Sequence, residues 1–142
     1  VTVYAETSAV LRWLFNEPLG EEILEALRGS PKVACSRLTV IESHRAIRRA
    51  VALEDLAEAH AAEVRAALAQ ASARWAVLEI SPDVASRAEQ AFPVEPVRTL
   101  DAVHLASALL LRHLVPDLRV ISTDSRIRAN AAQLGFDVFP AT

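Results

Sequence analysis

The chain has no methionine, one cysteine, one lysine and three glycines, and each scarcity closes off some chemistry. A single cysteine, Cys35, cannot form an internal disulfide. Lying in the apolar run Val33-Ala34-Cys35, it reads as a buried, inert thiol in a reducing compartment. The only lysine, Lys32, precedes that run and is the sole candidate for lysine-dependent chemistry; no Gly-x4-Gly-Lys phosphate loop exists. With three glycines and seven prolines there is neither a low-complexity segment nor a flexible linker, and nothing repeats at a fixed period. A basic excess is also missing. Eighteen acids against fifteen bases give a net charge of -3, so the overall balance does not announce a nucleic-acid binder. No apolar stretch approaches the roughly twenty residues of a membrane span. The first apolar run, Ala9 to Phe15, contains Arg12 and follows Glu6, unlike a secretory signal. A cytoplasmic protein without membrane partners is expected.

What is present is apolar material for one core: 142 residues, 52% hydrophobic, read as a single domain over 1–142. Thr2 to Ala5 reads as a short buried strand, followed by a helix that Ser8 caps and that carries Val10, Leu11, Leu14 and Phe15 at helical spacing. Pro18 opens a second helix over about Leu19 to Leu27, and Val33 to Ser36 is the next strand. Leu38 to Val51, with Val40, Ile47, Val51 and His44 on its apolar face, and the alanine-rich Ala57 to Ala73 predict a helical hairpin. Ala76 to Ile80 is strand-like, Pro82 to Ala91 helical, and Thr99 caps the strongest helix, Leu100 to His113. Arg119 to Ser122 is a strand, Ser125 to Leu134 a helix ended by Gly135, and Asp137 to Phe139 the last strand. Strands alternating with helices specify a parallel sheet covered on both faces, an α/β class.

Four acids stand where a strand ends or a helix begins: Glu6, Glu42, Asp101 and Asp124. In an open α/β sheet the loops at the carboxyl ends of the strands converge, so acids far apart in sequence can meet there. The bland account is that acids suit helix N-termini through the macrodipole, which covers Glu42 and Asp101 without any function. The functional account is a hard divalent cation, because converging carboxylates without basic partners suit Mg²⁺ or Mn²⁺.

The local sequences favour the second account. Tyr4-Ala5-Glu6-Thr7-Ser8-Ala9, Glu42 near the start of the third helix, Leu100-Asp101-Ala102-Val103-His104-Leu105-Ala106, and Ser122-Thr123-Asp124 followed by Ala131-x3-Gly135-Phe136 occur in that order. Together they resemble the PIN-domain nucleases over the whole chain, with the nearest likeness to the VapC-type ribonuclease toxins of toxin–antitoxin pairs. The resemblance implies a PIN-like three-layer α/β/α fold with a short parallel sheet of four to five strands. It also implies a metal-dependent endoribonuclease toxin using Mg²⁺ or Mn²⁺, hydrolysing RNA phosphodiester bonds and neutralised by a cognate VapB-like antitoxin. Carried over, the catalytic and metal-binding acids are Glu6, Glu42, Asp101 and Asp124, with Thr7, Ser8 and Thr123 as polar neighbours. The first acid of this family is usually Asp, and Glu6 stands in its place. The extra methylene moves the carboxylate by about one bond length, which the octahedral demand of Mg²⁺ resists. A catalytically weakened PIN-fold module that binds RNA or antitoxin is therefore the alternative.

Phosphodiester hydrolysis needs a nucleophilic water and stabilised phosphoryl charge, both of which oxygen-bound metal supplies. Arg37, Arg45, Arg48 and Arg49 fall within thirteen residues containing one acid, Glu42. They read either as a solvated helix face or as phosphate contacts beside an acidic centre. His104, one turn after Asp101, reads as a packed helix position within reach of that acid; His44 as a core or interface residue; His60 and His113 as surface. Trp13 and Trp75 read as core or dimer packing, and the apolar surface near Trp13 and Leu14 as a homodimer face. A phosphoaspartate or haloacid-type phosphoryl carrier is a remote reading, since no Asp-x-Asp follows the first strand and the one lysine is poorly placed.

Overall fold

The computed structural model describes residues 1–141; Thr142, the last residue of the expected domain, lies outside the described residues. In chain order the elements are β1 (Thr2–Ala5), α1 (Thr7–Leu14), α2 (Gly20–Gly29), β2 (Lys32–Ser36), α3 (Arg37–Ala52), α4 (Glu58–Ser72), β3 (Ala76–Leu78), α5 (Pro82–Ala88), α6 (Thr99–Leu114), β4 (Arg119–Ile121), α7 (Ser125–Gln133) and β5 (Asp137–Phe139). All strand pairs are parallel, in the order β3-β2-β1-β4-β5, with Tyr4 opposite Ala34 on one side and Val120 on the other. The sheet thus has the five parallel strands of the upper expectation.

Side chains on a strand alternate between faces, and β1 divides the molecule accordingly. Val3 and Ala5 join Val10, Leu14, Ile23, Ile47 and Leu68 in a core beneath α1 to α4. Tyr4 joins Leu105, Val120, Ile127 and Phe136 in a second core beneath α6 and α7. These are the three layers. Two of the three glycines are required by geometry. A Cβ on Gly20 would lie 2.4 Å from the Arg12 carbonyl oxygen, so only glycine lets α2 start against α1; Gly135, at φ +89°, ends α7 in the left-handed region.

The capping differs from the sequence reading in two places. Glu6, not Ser8, caps α1, because its longer side chain folds back to the Ser8 N–H. Thr99 is the first helical residue of α6, and Arg98 occupies the cap position without a side-chain bond. The strand expected over Ala76 to Ile80 stops at Leu78 because Ser81 turns to cap α5 at Val84, and α5 itself stops at Ala88. His44 is exposed rather than on the apolar face. It lies about 100° around the helix from the buried Ser43, and Thr39, Ser43 and Ile47 form the packed stripe of α3.

The chain leaves β1 towards β2 on one side, whereas β4 and β5 extend the sheet on the other. The carboxyl ends of β1 and β4 therefore flank the switch point, where an open parallel sheet leaves a crevice between diverging connections. Glu6 follows one of these strands directly and Ser122-Thr123-Asp124 follows the other.

Candidate active site

Glu6 is held down at the switch point. The Glu6 N–H donates to the Ile121 carbonyl at 3.0 Å, extending the β1–β4 ladder by one residue. Its carboxylate accepts from the Ser8 N–H at 3.0 Å and from the hydroxyls of Ser8 and Ser122 at 2.5 and 2.6 Å. The residue is only 4% exposed. The Thr123 N–H donates to the Ser8 hydroxyl at 2.9 Å, and the Asp124 N–H donates to the Ser122 hydroxyl at 3.1 Å. Asp124 caps α7, its Oδ1 accepting from the N–H groups of Arg126 and Ile127. Ser122, fully buried, ties the first acid to the segment carrying the fourth. The sequence reading did not single it out.

Glu42 projects from the second turn of α3 beside Thr7 and His104. Its Oε1 accepts from the Thr7 hydroxyl at 2.5 Å and from His104 Nε2 at 2.7 Å. Burial pushes the Glu42 carboxyl up, but the hydrogen bonds from His104 and Thr7 outweigh it and hold the group below its ordinary value. An ionised carboxylate only accepts, so His104 Nε2 carries a proton. In the neutral ring Nδ1 is then an acceptor, and the Tyr4 hydroxyl donates to it at 2.8 Å. His104 is 2% exposed. It is packed, as the sequence suggested, but the carboxylate it touches is Glu42 rather than Asp101.

Asp101 lies one turn earlier on α6. Burial and the charge of Asp124 push its carboxyl above the usual value, against the pull of Arg98 at 3.4 Å. Hydrogen bonds tie the segments carrying the acids together in two pairs, Glu6 with the Asp124 segment through Ser122 and Ser8, and the Asp101 helix with Glu42 through His104. Hard oxygen donors fit a divalent cation such as Mg²⁺. Among the described residues no three His, Cys, Asp or Glu side chains form a ready-made ligand group.

The four arginines separate. Arg45, Arg48 and Arg49 line a groove of about 930 Å³ with Thr7, Glu42, Ile41, Leu53 and Leu100. Arg37 is instead paired with Glu79 through two hydrogen bonds of 3.0 and 2.6 Å, away from that groove. Leu14 is buried and Trp13 half-buried against the first core, Trp13 also lining a second groove with Leu24, Leu27 and Trp75. His60 and His113 are exposed and Cys35 is buried, as expected.

Comparison with known proteins places the chain in a family. The PIN domain family model matches residues 3–133. The chain belongs to the PIN-domain family. Ribonuclease VapC35 of Mycobacterium tuberculosis is 31% identical over 138 residues, 96% of this chain and 94% of the relative, which makes this a PIN domain of the VapC type. The fold is shared with a toxin–antitoxin complex from Klebsiella pneumoniae at TM-score 0.61 and 23% identity, over 94% of this chain and 92% of that one. It is shared also with VapC20 of Mycobacterium tuberculosis, described as a sarcin–ricin-loop-cleaving toxin, at TM-score 0.63 and 14% identity, over 94% and 95% of the two chains. No helix among the described residues of this PIN domain is long and apolar enough to cross a membrane.

Proposed function

We propose that this PIN domain is an endoribonuclease toxin that hydrolyses RNA phosphodiester bonds with Mg²⁺ or Mn²⁺ and is neutralised by a cognate VapB-like antitoxin in the cytoplasm. The observation that carries the reading is that hydrogen bonds tie Glu6 to the Asp124 segment and Glu42 to the helix of Asp101, with the Asp101 carboxyl pushed up by burial and by the charge of Asp124. Asp101 and Asp124 are the acids best placed to share an ion, and Glu42 joins them through Oε2, since its Oε1 already accepts two hydrogen bonds. Glu6 acts from the same edge with its carboxylate anchored by Ser8 and Ser122. When bound, the metal activates water and offsets phosphoryl charge.

The chain's own side chains do the rest. Thr7 holds Glu42, Ser8 and Ser122 hold Glu6, and Thr123 docks on Ser8 so that Asp124 reaches the cleft. Arg45, Arg48 and Arg49, along the groove that begins at Glu42, meet RNA phosphates. The apolar wall of that groove, with Ile41, Leu53 and Leu100 about half exposed, receives an antitoxin segment that offers an Arg to the carboxylates. The toxin acts as a homodimer, the commonest closed assembly. A weakened, binding-only module is the second reading. It is favoured by one observation, that both oxygens of Glu6 already accept hydrogen bonds inside the protein.

Incubating the purified chain with RNA in Mg²⁺, in Mn²⁺ and in chelator separates the two. Cleavage with either metal that is lost in chelator and in Asp101→Asn and Glu42→Gln is the expected result. Binding of RNA without cleavage in either metal supports the second reading, and metal-independent cleavage removes the site.

A further inference from the structure

Glu42 is a long, flexible side chain on a helix face that solvent reaches, its side chain 27% exposed. Left free, it would sample several rotamers, and ordering such a side chain costs conformational entropy. Here both restraints act on the same oxygen. Thr7 and His104 bind Oε1, at 2.5 and 2.7 Å, while Oε2 has no hydrogen-bond partner among the described residues. The Thr7 hydroxyl also lies 3.1 Å from His104 Nε2, closing a three-cornered contact. The carboxylate is therefore fixed by one oxygen and open at the other.

His104 is itself locked. It stands in the buried stripe of α6, and Tyr4, 1% exposed on the central strand β1, holds its Nδ1 at 2.8 Å. The two rings meet edge to face, with centroids 6.1 Å apart and planes at 78°. With Nδ1 so occupied, the proton on Nε2 is aimed at Glu42. The central strand, the helix of Asp101 and the helix of Glu42 are thereby joined by one hydrogen-bonded line, Tyr4 to His104 to Glu42.

We propose that His104, oriented by Tyr4, is a positioning residue that sets the Glu42 carboxylate so that Oε2 is presented to the divalent cation. The inference rests on the placement of Glu42 in the metal site. It adds that this placement depends on a buried histidine that touches no substrate. Outer partners of this kind commonly govern ligand orientation, and their loss costs about 10–100-fold in metal affinity or activity.

The test is Mn²⁺ affinity of the whole chain, read from the free Mn²⁺ electron paramagnetic resonance signal, with folding checked by circular dichroism. His104→Leu is expected to weaken Mn²⁺ binding by about 10–100-fold. His104→Gln, which keeps an N–H donor near the place of Nε2, recovers most of that loss. Tyr4→Phe, which keeps the core volume and removes only the hydroxyl on Nδ1, falls between wild type and His104→Leu. A purely structural role would not produce this order in variants that remain folded. Folded His104→Leu that binds Mn²⁺ like wild type, while Glu42→Gln has lost binding, overturns the inference and leaves the metal site standing. Unchanged binding in Glu42→Gln overturns the metal site itself. Should His104→Leu fail to fold, Tyr4→Phe decides, and wild-type Mn²⁺ affinity in that variant refutes the proposal.

Discussion

Removing the Glu6 carboxylate tests whether this acid is part of the scaffold as well as of the cleft. In Glu6→Ala three acceptor contacts disappear: the α1 cap to the Ser8 N–H and the contacts to the hydroxyls of Ser8 and Ser122. A cap of this kind contributes about 1 kcal/mol. A hydrogen bond to a charged acceptor contributes about 1.5–3 kcal/mol, and Ser122 is fully buried, so its hydroxyl has no water to turn to. The Ser122 hydroxyl lies 3.3 Å from that of Ser8, so part of the loss is recovered by the two serines pairing. A net cost of about 3 kcal/mol follows, which lowers Tm by about 10 °C in a chain of 142 residues. The opposing effect is relief of repulsion among the clustered acids, which would raise stability without metal. Urea and thermal unfolding in chelator, at neutral pH, decides which dominates. Equal or greater stability of Glu6→Ala would refute the reasoning and make Glu6 a strained acid tolerated only for function. Glu6→Gln, whose amide oxygen still accepts, should fall between wild type and Glu6→Ala.

Asp101→Asn should abolish metal-dependent RNA cleavage yet be more stable than wild type in chelator. The folded Asp101 carboxyl is raised, so the wild type loses stability as pH rises from the unfolded carboxylate range through that folded value, and the variant's advantage should grow over the same window and vanish in acid. The reverse sign applies to Glu42: its folded carboxyl is lowered, so stability from the Thr7 and His104 bonds is present above the unfolded range and lost as pH falls through the folded value. Thr7→Val should therefore shrink that acid loss, measured by urea unfolding from pH 3 to 7, a window set by ordinary carboxylate values of about 4. Charge removal at Arg45, Arg48 and Arg49 should reduce the salt slope of single-stranded RNA binding by about 0.7 per lost phosphate contact, while Arg37→Ala, whose guanidinium is paired with Glu79, should change it least. An equal effect of all four in filter-binding assays would contradict the groove as the RNA path.

The sequence alone was enough for the layers. Strand and helix periodicity is local, so alternation at Val3-Tyr4-Ala5 and helical spacing at Val10, Leu11 and Leu14 could be read directly, as could the order of the four acidic motifs. What it did not determine were contacts between residues far apart in the chain. Ser122 reaching Glu6, Tyr4 reaching His104 across 100 positions, and His104 choosing Glu42 over its own helix neighbour Asp101 depend on which strands lie side by side and which helix faces meet. The same holds for Arg37, paired with Glu79 just beyond the end of β3, and for Trp13 and Leu14, which pack against the first core. Side-chain periodicity specifies a face, but only the strand order β3-β2-β1-β4-β5 brings the ends of β1 and β4 together, and with them Glu6 and the segment that carries Asp124.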